Sequence, residues 1–435
     1  MKRAVVLSGG GAKGAYEVGV WQAMRETDFV PDVITGTSVG ALNGALMMQD
    51  DFDRAVEIWE SITMDKILKL EEPIDFGRLG FKGTIRAFVN EVLLRGGMDP
   101  SPLGDLLAQH LDEKKVRAAR PEFGIVTVSV APLGKHTLFL EDIPEGQLND
   151  YLLASAACYP LFRPYKMDGM EFIDGGYYDN LPLSMAAERG ATEILAVDLR
   201  AIGVKSSMSV KNRKNINIKF IVPTAQTGSM VDFTAENAKS NIRLGYLDAC
   251  REFGFYEGNI YTFRKGEAAE NLSALRGALA ALLHRTGLGS LRMKKEGEPE
   301  FALPFLPGRS RRIDSAALLS LAETAGDMFG LPRLSIYTFS EFNNALLEVY
   351  FAEKGALPKE EQKAYALLQA LREAPREGMR PLERRLCCAL TGLFDGEETI
   401  AGAFSAAAAT GVFSASFYLR ALLETRGLTA REGQN

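Results

Sequence analysis

A serine held between two glycines at the end of an apolar run can do chemistry, and Gly36-Thr37-Ser38-Val39-Gly40 has that form. The G-x-S-x-G spacing puts a hydroxyl on a sharp strand-to-helix turn, where small neighbours leave it room. The helix behind it sets a positive dipole end near the reacting centre. The plain alternative is a serine that caps an ordinary helix. A serine hydroxyl is a weak nucleophile and needs a positioned base. His110 lies in a helix-like stretch with apolar neighbours, His136 starts a strand, and His284 is deep in a helical region. None sits in a loop that looks built for catalysis, so a conventional triad is disfavoured.

Two further motifs carry chemistry. Ser8-Gly9-Gly10-Gly11-Ala12-Lys13-Gly14 follows the first apolar run and opens a helix. Residues 9–14 satisfy G-x-G-x-x-G, which raises a dinucleotide site. That reading wants an acidic residue at the end of the second strand, which instead ends Ile34-Thr35-Gly36. A P-loop fails because G-K-[ST] is absent. What remains is a run of bare backbone N–H groups at a helix start, a place that binds negative charge. Phe172-Ile173-Asp174-Gly175-Gly176 ends a strand after the Asp168-Gly169 hairpin turn. Asp174 can reach across a site from there, or can simply bond to its own turn.

Taken in order, Gly9-Gly10-Gly11-x-Lys13-Gly14, Gly36-x-Ser38-x-Gly40 and Asp174-Gly175-Gly176 resemble the patatin-like phospholipase family. Ala41-Leu42-Asn43, Ala154-Ser155-Ala156-Ala157 and Asn180-Leu181-Pro182 add to the match. The resemblance covers about residues 4–200, extends loosely through 237–248 and says little about 266–435. It implies a Ser–Asp dyad without histidine: Ser38 as nucleophile, Asp174 as its base and Gly9, Gly10 and Gly11 as the oxyanion loop. Lys13, Gly14, Gly36, Gly40, Gly175 and Gly176 support the motifs. The implied reaction is hydrolysis of carboxylic esters in phospholipids or related acyl lipids, with no metal and no cofactor. An idle scaffold that binds a partner, an acyl thioesterase or transferase, and a dinucleotide oxidoreductase are the rival readings.

These residues need a scaffold to position them. Short apolar runs alternate with helical segments up to about residue 200, which predicts an α/β fold with a mainly parallel sheet. The resemblance makes this a patatin-like three-layer fold. Strands are expected at Ala4–Ser8, Val33–Gly36, Gly124–Val130, His136–Leu140, Met170–Ile173 and Ile194–Asp198. Helices are expected at Ala15–Arg25, Val39–Met48, Asp53–Ser61, Leu148–Ala156, Ser184–Arg189 and Ala235–Phe253. Residues 64–102 read as an excursion capping one sheet edge, or a lid. Residues 205–219 hold Lys205, Lys211, Arg213, Lys214 and Lys219 without an acid. That stretch reads as a solvated loop, with attraction to anionic headgroups as the alternative.

Beyond about residue 265 the pattern turns helical, so the expected domains are 1–265, the hydrolase-like part, and 266–435, an all-helical C-terminal region. The uncharged stretch Thr399–Leu419 is long enough to span a bilayer, but its Ala, Gly, Ser and Thr content favours a buried helix over membrane contact. The whole chain is ordinary globular protein: 435 residues, 46% apolar and 24% charged. Its 50 basic and 56 acidic residues give a net charge of −6, a poor footprint for nucleic acid. Cys158, Cys250, Cys387 and Cys388 show no metal-ligand spacing, and Cys387–Cys388 read as buried thiols on a helix. Only four apolar residues, Ala4–Leu7, follow Lys2-Arg3, too few for a secretory segment. The expected setting is cytoplasmic, with peripheral membrane contact left open. The expected partner is a lipid or acyl-ester substrate, and the oligomeric state is not legible.

Overall fold

A computed structural model describes residues 1–69, 97–212, 215–286, 291–293, 299–301, 315–356, 379–393 and 410–428. The chain divides into two compact units, Met1–Glu252 and Phe253–Asn435.

The first unit is built on an eight-stranded mixed sheet. Its strands are β1 (Arg3–Leu7), β2 (Val33–Thr37), β3 (Glu122–Val130), β4 (Leu133–Phe139), β5 (Tyr165–Met167), β6 (Met170–Asp174), β7 (Glu193–Val197) and β8 (Asn217–Ile221). The order is β5-β6-β3-β2-β1-β7-β8, with β4 on the far edge of β3. β3, β2, β1, β7 and β8 run parallel, β4 and β6 run antiparallel to β3, and β5 pairs antiparallel with β6. β1, β2 and β7 are buried along almost their whole length. Strands covered on both faces read as unbroken apolar runs, which is why the sequence showed them as such.

Helices cover both faces. They are α1 (Ala15–Arg25), α2 (Val39–Met48), α3 (Phe52–Glu60), α4 (Ser101–His110), α5 (Glu113–Ala118), α6 (Leu148–Ser155), α7 (Leu183–Glu188) and α8 (Ala235–Glu252). On one face Ala4, Val6, Val33, Val126, Ile194 and Ala196 pack with Leu183, Met185 and Ala186 of α7. On the other, α2 lies against Ile34 and Phe123, close enough that Gly44 has no room for a side chain. The result is the expected three-layer α/β arrangement.

The stretch 205–219 is not simply a solvated loop. Asn217–Ile221 forms edge strand β8, and Ile218 and Phe220 pack on the core. Lys205 is bound by the Asp198 carboxylate at 2.6 and 2.8 Å, and Lys219 lies 3.8 Å from Glu252. Arg213, Lys214 and the Lys211 side chain lie outside the described residues. So does 70–96, most of the expected excursion.

The second unit is mainly helical, as expected: α9 (Glu267–Thr286), α10 (Ser315–Phe329), α11 (Phe339–Gly355), α12 (Met379–Leu393) and α13 (Thr410–Thr425). Its core joins Leu318, Phe342, Tyr350, Leu386 and Phe417. Two short pairings are added to the helices: Leu291–Met293 with Pro299–Phe301, and Thr262–Phe263 with Ile336–Tyr337. Residues 253–265, assigned on sequence to the first domain, pack here through Tyr261 and Phe263. Cys387 and Cys388 are buried free thiols on α12. Val412, Phe417, Tyr418 and Leu419 of the uncharged stretch are buried in this core, and residues 399–409 lie outside the described residues. Among the described residues no helix is long and apolar enough to cross a membrane.

Candidate active site

β3 brings the serine and the aspartate together. β4 pairs along Gly124–Val130 and so occupies one edge of β3. β2 pairs with residues 122–126 and β6 with residues 127–129, so both must use the other edge. β2 arrives parallel and ends with Thr37 opposite Val126. β6 arrives antiparallel and ends with Asp174 opposite Thr127. The two strand ends therefore meet tip to tip at adjacent rungs, and the residues at the meeting point are Ser38 and Asp174.

The backbone at Ser38 departs from an ordinary helix cap. Ser38 occupies the N-cap position of α2 with φ 56° and ψ −129°, and its side chain makes no capping hydrogen bond. Positive φ is uncommon in a residue with a Cβ and marks a constrained turn. The surrounding glycines explain how the turn closes. A Cβ on Gly36 would strike the Gly40 carbonyl, and one on Gly40 would come 2.6 Å from the Leu7 carbonyl oxygen. The Ser38 amide is anchored by donating to Ser155 Oγ at 3.0 Å, and that hydroxyl donates to the Val126 carbonyl at 2.7 Å.

The freed Ser38 hydroxyl lies instead next to the Asp174 carboxylate. Asp174 accepts the Gly176 amide at 2.7 Å, so part of its turn-forming role is real. Both groups are buried. Burial pushes the Asp174 carboxyl up to about 6, against the lowering effect of the Ser38 hydroxyl and the Gly176 amide. A desolvated carboxylate titrates higher and is a stronger base near neutral pH.

The glycine loop lies beside Ser38, but its three amides are not equivalent. Gly9 N–H donates to the Asn180 carbonyl at 3.2 Å, and Asn180 Nδ2 returns a bond to the Gly9 carbonyl at 3.2 Å. Gly9 is a close-approach residue: a Cβ there would strike Asn180 Oδ1 and lie 3.0 Å from Ser38 Cβ. Lys13 turns the loop by donating its amide to the Gly10 carbonyl at 3.3 Å, and Ala12 N–H donates to the Met230 carbonyl at 2.8 Å. Among the described residues no acceptor binds the Gly10 or Gly11 amide.

No described histidine joins the pair. His136 Nε2 lies 3.0 Å from Ser129 Oγ, with its ring 5.5 Å from Phe172. His110 sits on α4, where burial lowers its pKa. The His284 side chain lies outside the described residues.

Ser38 opens into a narrow apolar pocket of about 100 Å³. Leu42, Leu46, Trp59, Leu103, Leu107 and Phe162 form much of its wall. Nothing local in the sequence joined these residues into one wall. Asn180 and Ser155 were visible only as matching text, and their roles as clamp and anchor come from contacts across more than 100 positions. Asn43 is a third such residue. It donates to the Gly14 carbonyl at 3.0 Å and to buried Glu17 at 2.8 Å, and accepts Trp59 Nε1 at 3.0 Å. It ties the glycine loop to the helix that carries Ser38.

Comparison with known proteins agrees with this geometry. Residues 5–187 match the patatin-like phospholipase family. Patatin-like phospholipase domain-containing protein 7 of Mus musculus is 31% identical over 208 residues, 45% of this chain and 13% of that protein. Lysophospholipase NTE1 of Kluyveromyces lactis is 25% identical over 218 residues, 48% of this chain and 13% of that protein. The chain thus aligns with a small part of these much longer relatives. Among solved structures, VipD from Legionella pneumophila aligns with 99% of this chain and 93% of its own at 16% identity, with a TM-score of 0.35, too low to argue from. The glycine loop, the elbow and Asp174 all fall within the matched span, and over residues 5–187 this chain carries a patatin-like phospholipase domain.

Proposed function

We propose that the first unit is a serine acyl hydrolase that cleaves carboxylic esters of phospholipids or related acyl lipids. The observation that carries the reading is a constrained serine next to a buried aspartate, at the wall of an apolar pocket. Relatives named phospholipase and lysophospholipase support it.

Ser38 Oγ attacks the ester carbonyl as Asp174 takes its proton. The carbonyl oxygen becomes an oxyanion beside the Gly10 and Gly11 amides, while Gly9 spaces the loop against Ser38. Loss of one such donor in a hydrolase costs about 10²–10³ in rate. Asp174 then gives the proton to the leaving alcohol. Water attacks the acyl-serine with Asp174 as base, and the fatty acid leaves with Ser38 restored. The acyl chain lies along Leu42, Leu46, Leu103 and Leu107, where its burial is favourable by ~0.8 kcal/mol per methylene. Lys13, Gly14, Gly36, Gly40 and Gly175 hold the turns, and the Gly176 amide steadies the Asp174 carboxylate.

A fluorophosphonate probe tests the nucleophile, and fatty-acid release from a lipid panel tests the substrate class. Labelling and release that both vanish in Ser38→Ala support the reading. A wild-type protein that neither labels nor releases fatty acid is a non-catalytic scaffold, and the proposal fails.

A further inference from the structure

Several exposed apolar side chains gather at one end of the sheet. β3 runs four residues past Val126, the partner of Thr37, so the β3–β4 hairpin projects ~13 Å beyond the elbow. Its tip exposes Val130 and Leu133, the latter 81% exposed. β7 is parallel to β1 and ends at the same level, so the loop after it emerges at this end too. That loop carries Ile202, 92% exposed, and Val204, and Val204 N–H donates to the Gly176 carbonyl at 2.9 Å. Tyr177 follows Gly176, and its hydroxyl donates to the carbonyl of Tyr159. Tyr159 in turn follows the pocket residue Cys158. Gly176, which precedes Tyr177, donates its amide to the Asp174 carboxylate, so this rim borders the dyad itself.

We propose that this rim is a docking surface for a lipid bilayer, seating the pocket mouth on the membrane. The inference rests on the acyl-hydrolase reading and adds the surface through which substrate arrives. Exposed aliphatic side chains beside half-exposed tyrosines match the interfacial zone, where an apolar body is buried and a hydroxyl stays wet. Charge agrees. Lys135 is exposed, donates to Tyr178 Oη at 3.0 Å and lies 4.8 Å from the Tyr178 ring centre, where it can meet a lipid phosphodiester. Arg200 is exposed on the loop after β7, and the acid of that loop, Asp198, is neutralised by Lys205. An acyl chain can pass from bilayer to pocket over this rim without crossing water. Of the cations in 205–219, Lys205 and Lys219 are already paired with Asp198 and Glu252.

The test uses the full chain carrying Ser38→Ala, so that lipid is not consumed, in flotation with phosphatidylcholine vesicles at 0.1 and 0.5 M salt. The parent should float at both salts. Adding Leu133→Asp and Ile202→Asp should cut the vesicle-bound fraction at least about tenfold. In the Ser38 background the same two substitutions should leave hydrolysis of a soluble short-chain ester unchanged. Absent flotation, flotation of the double variant at the parent level, or binding confined to anionic vesicles at low salt would overturn the docking surface. Absent soluble-ester hydrolysis in the wild type would instead sink the hydrolase reading, so the two failures are separable.

Discussion

Asp174 in the first unit and Glu323 in the second are both buried carboxylates, and their surroundings differ in kind. Glu323 accepts the amides of Asn259, Ile260 and Tyr261 and the Asn259 side chain, at 2.5–3.1 Å. Four donors hold one acid, and it serves to pin the residues 259–261 onto α10. Asp174 has one backbone amide and one serine hydroxyl. Its desolvation is under-compensated, its pKa rises, and its remaining basicity points at Ser38. Burial alone therefore does not single out Asp174; the balance between burial and hydrogen-bond donors separates it from Glu323.

The largest expected effect breaks the first half of that comparison. Ser38→Ala should lower ester hydrolysis by at least ~10⁴-fold with folding intact by circular dichroism. Asp174→Asn keeps the shape but removes the base, and should cost ~10³–10⁴-fold in kcat. In the wild type, log kcat/KM on a soluble ester should rise with unit slope below pH 6 and level above it, following Asp174. A flat profile between pH 5 and 7 would deny Asp174 the role of base.

Glu323→Ala probes the other half. It leaves three backbone amides without their acceptor and should destabilise the second unit by ~3 kcal/mol in denaturant unfolding. Asp174→Asn should do the opposite. A carboxyl whose folded pKa is raised from 3.8 to about 6 holds its proton longer in the folded state. Stability is then lost as pH rises through that window, and the loss is complete above it. Asn carries no such charge, so Asp174→Asn should raise Tm at pH 7.5 and leave it nearly unchanged at pH 4. The gain is on the order of 2 kcal/mol. Smallest is Asn180→Ala, which loosens Gly9 and should reduce kcat by ~10-fold while sparing KM.

Some of this was readable before any coordinates. α1 and α2 begin and end where periodicity and glycine breaks place them, and the Asp168-Gly169 turn joins β5 to β6 as its type demands. The elbow was legible because glycines flank Ser38 on both sides, Gly36 spaced against the turn's own Gly40 and Gly40 against Leu7 of β1. β8 was hidden because Lys219 and neighbouring cations masked the alternation of an edge strand, whose buried side chains are Ile218, Phe220 and Ile221. The short strand pairings of the second unit were hidden too, since a pair of two or three residues carries no period.

The sequence by itself determined which groups could react, because Ser38, Asp174 and the glycines sit in motifs whose local geometry depends on near neighbours. Only the tertiary structure decided how they act. The tip-to-tip meeting of β2 and β6 on one edge of β3 sets the contact between Ser38 and Asp174. Burial by segments far apart in the chain raises the Asp174 pKa. The Asn180 carbonyl occupies the Gly9 amide, while among the described residues no acceptor binds those of Gly10 and Gly11. Each of these depends on pairing or desolvation between segments far apart in the chain, which no local pattern encodes.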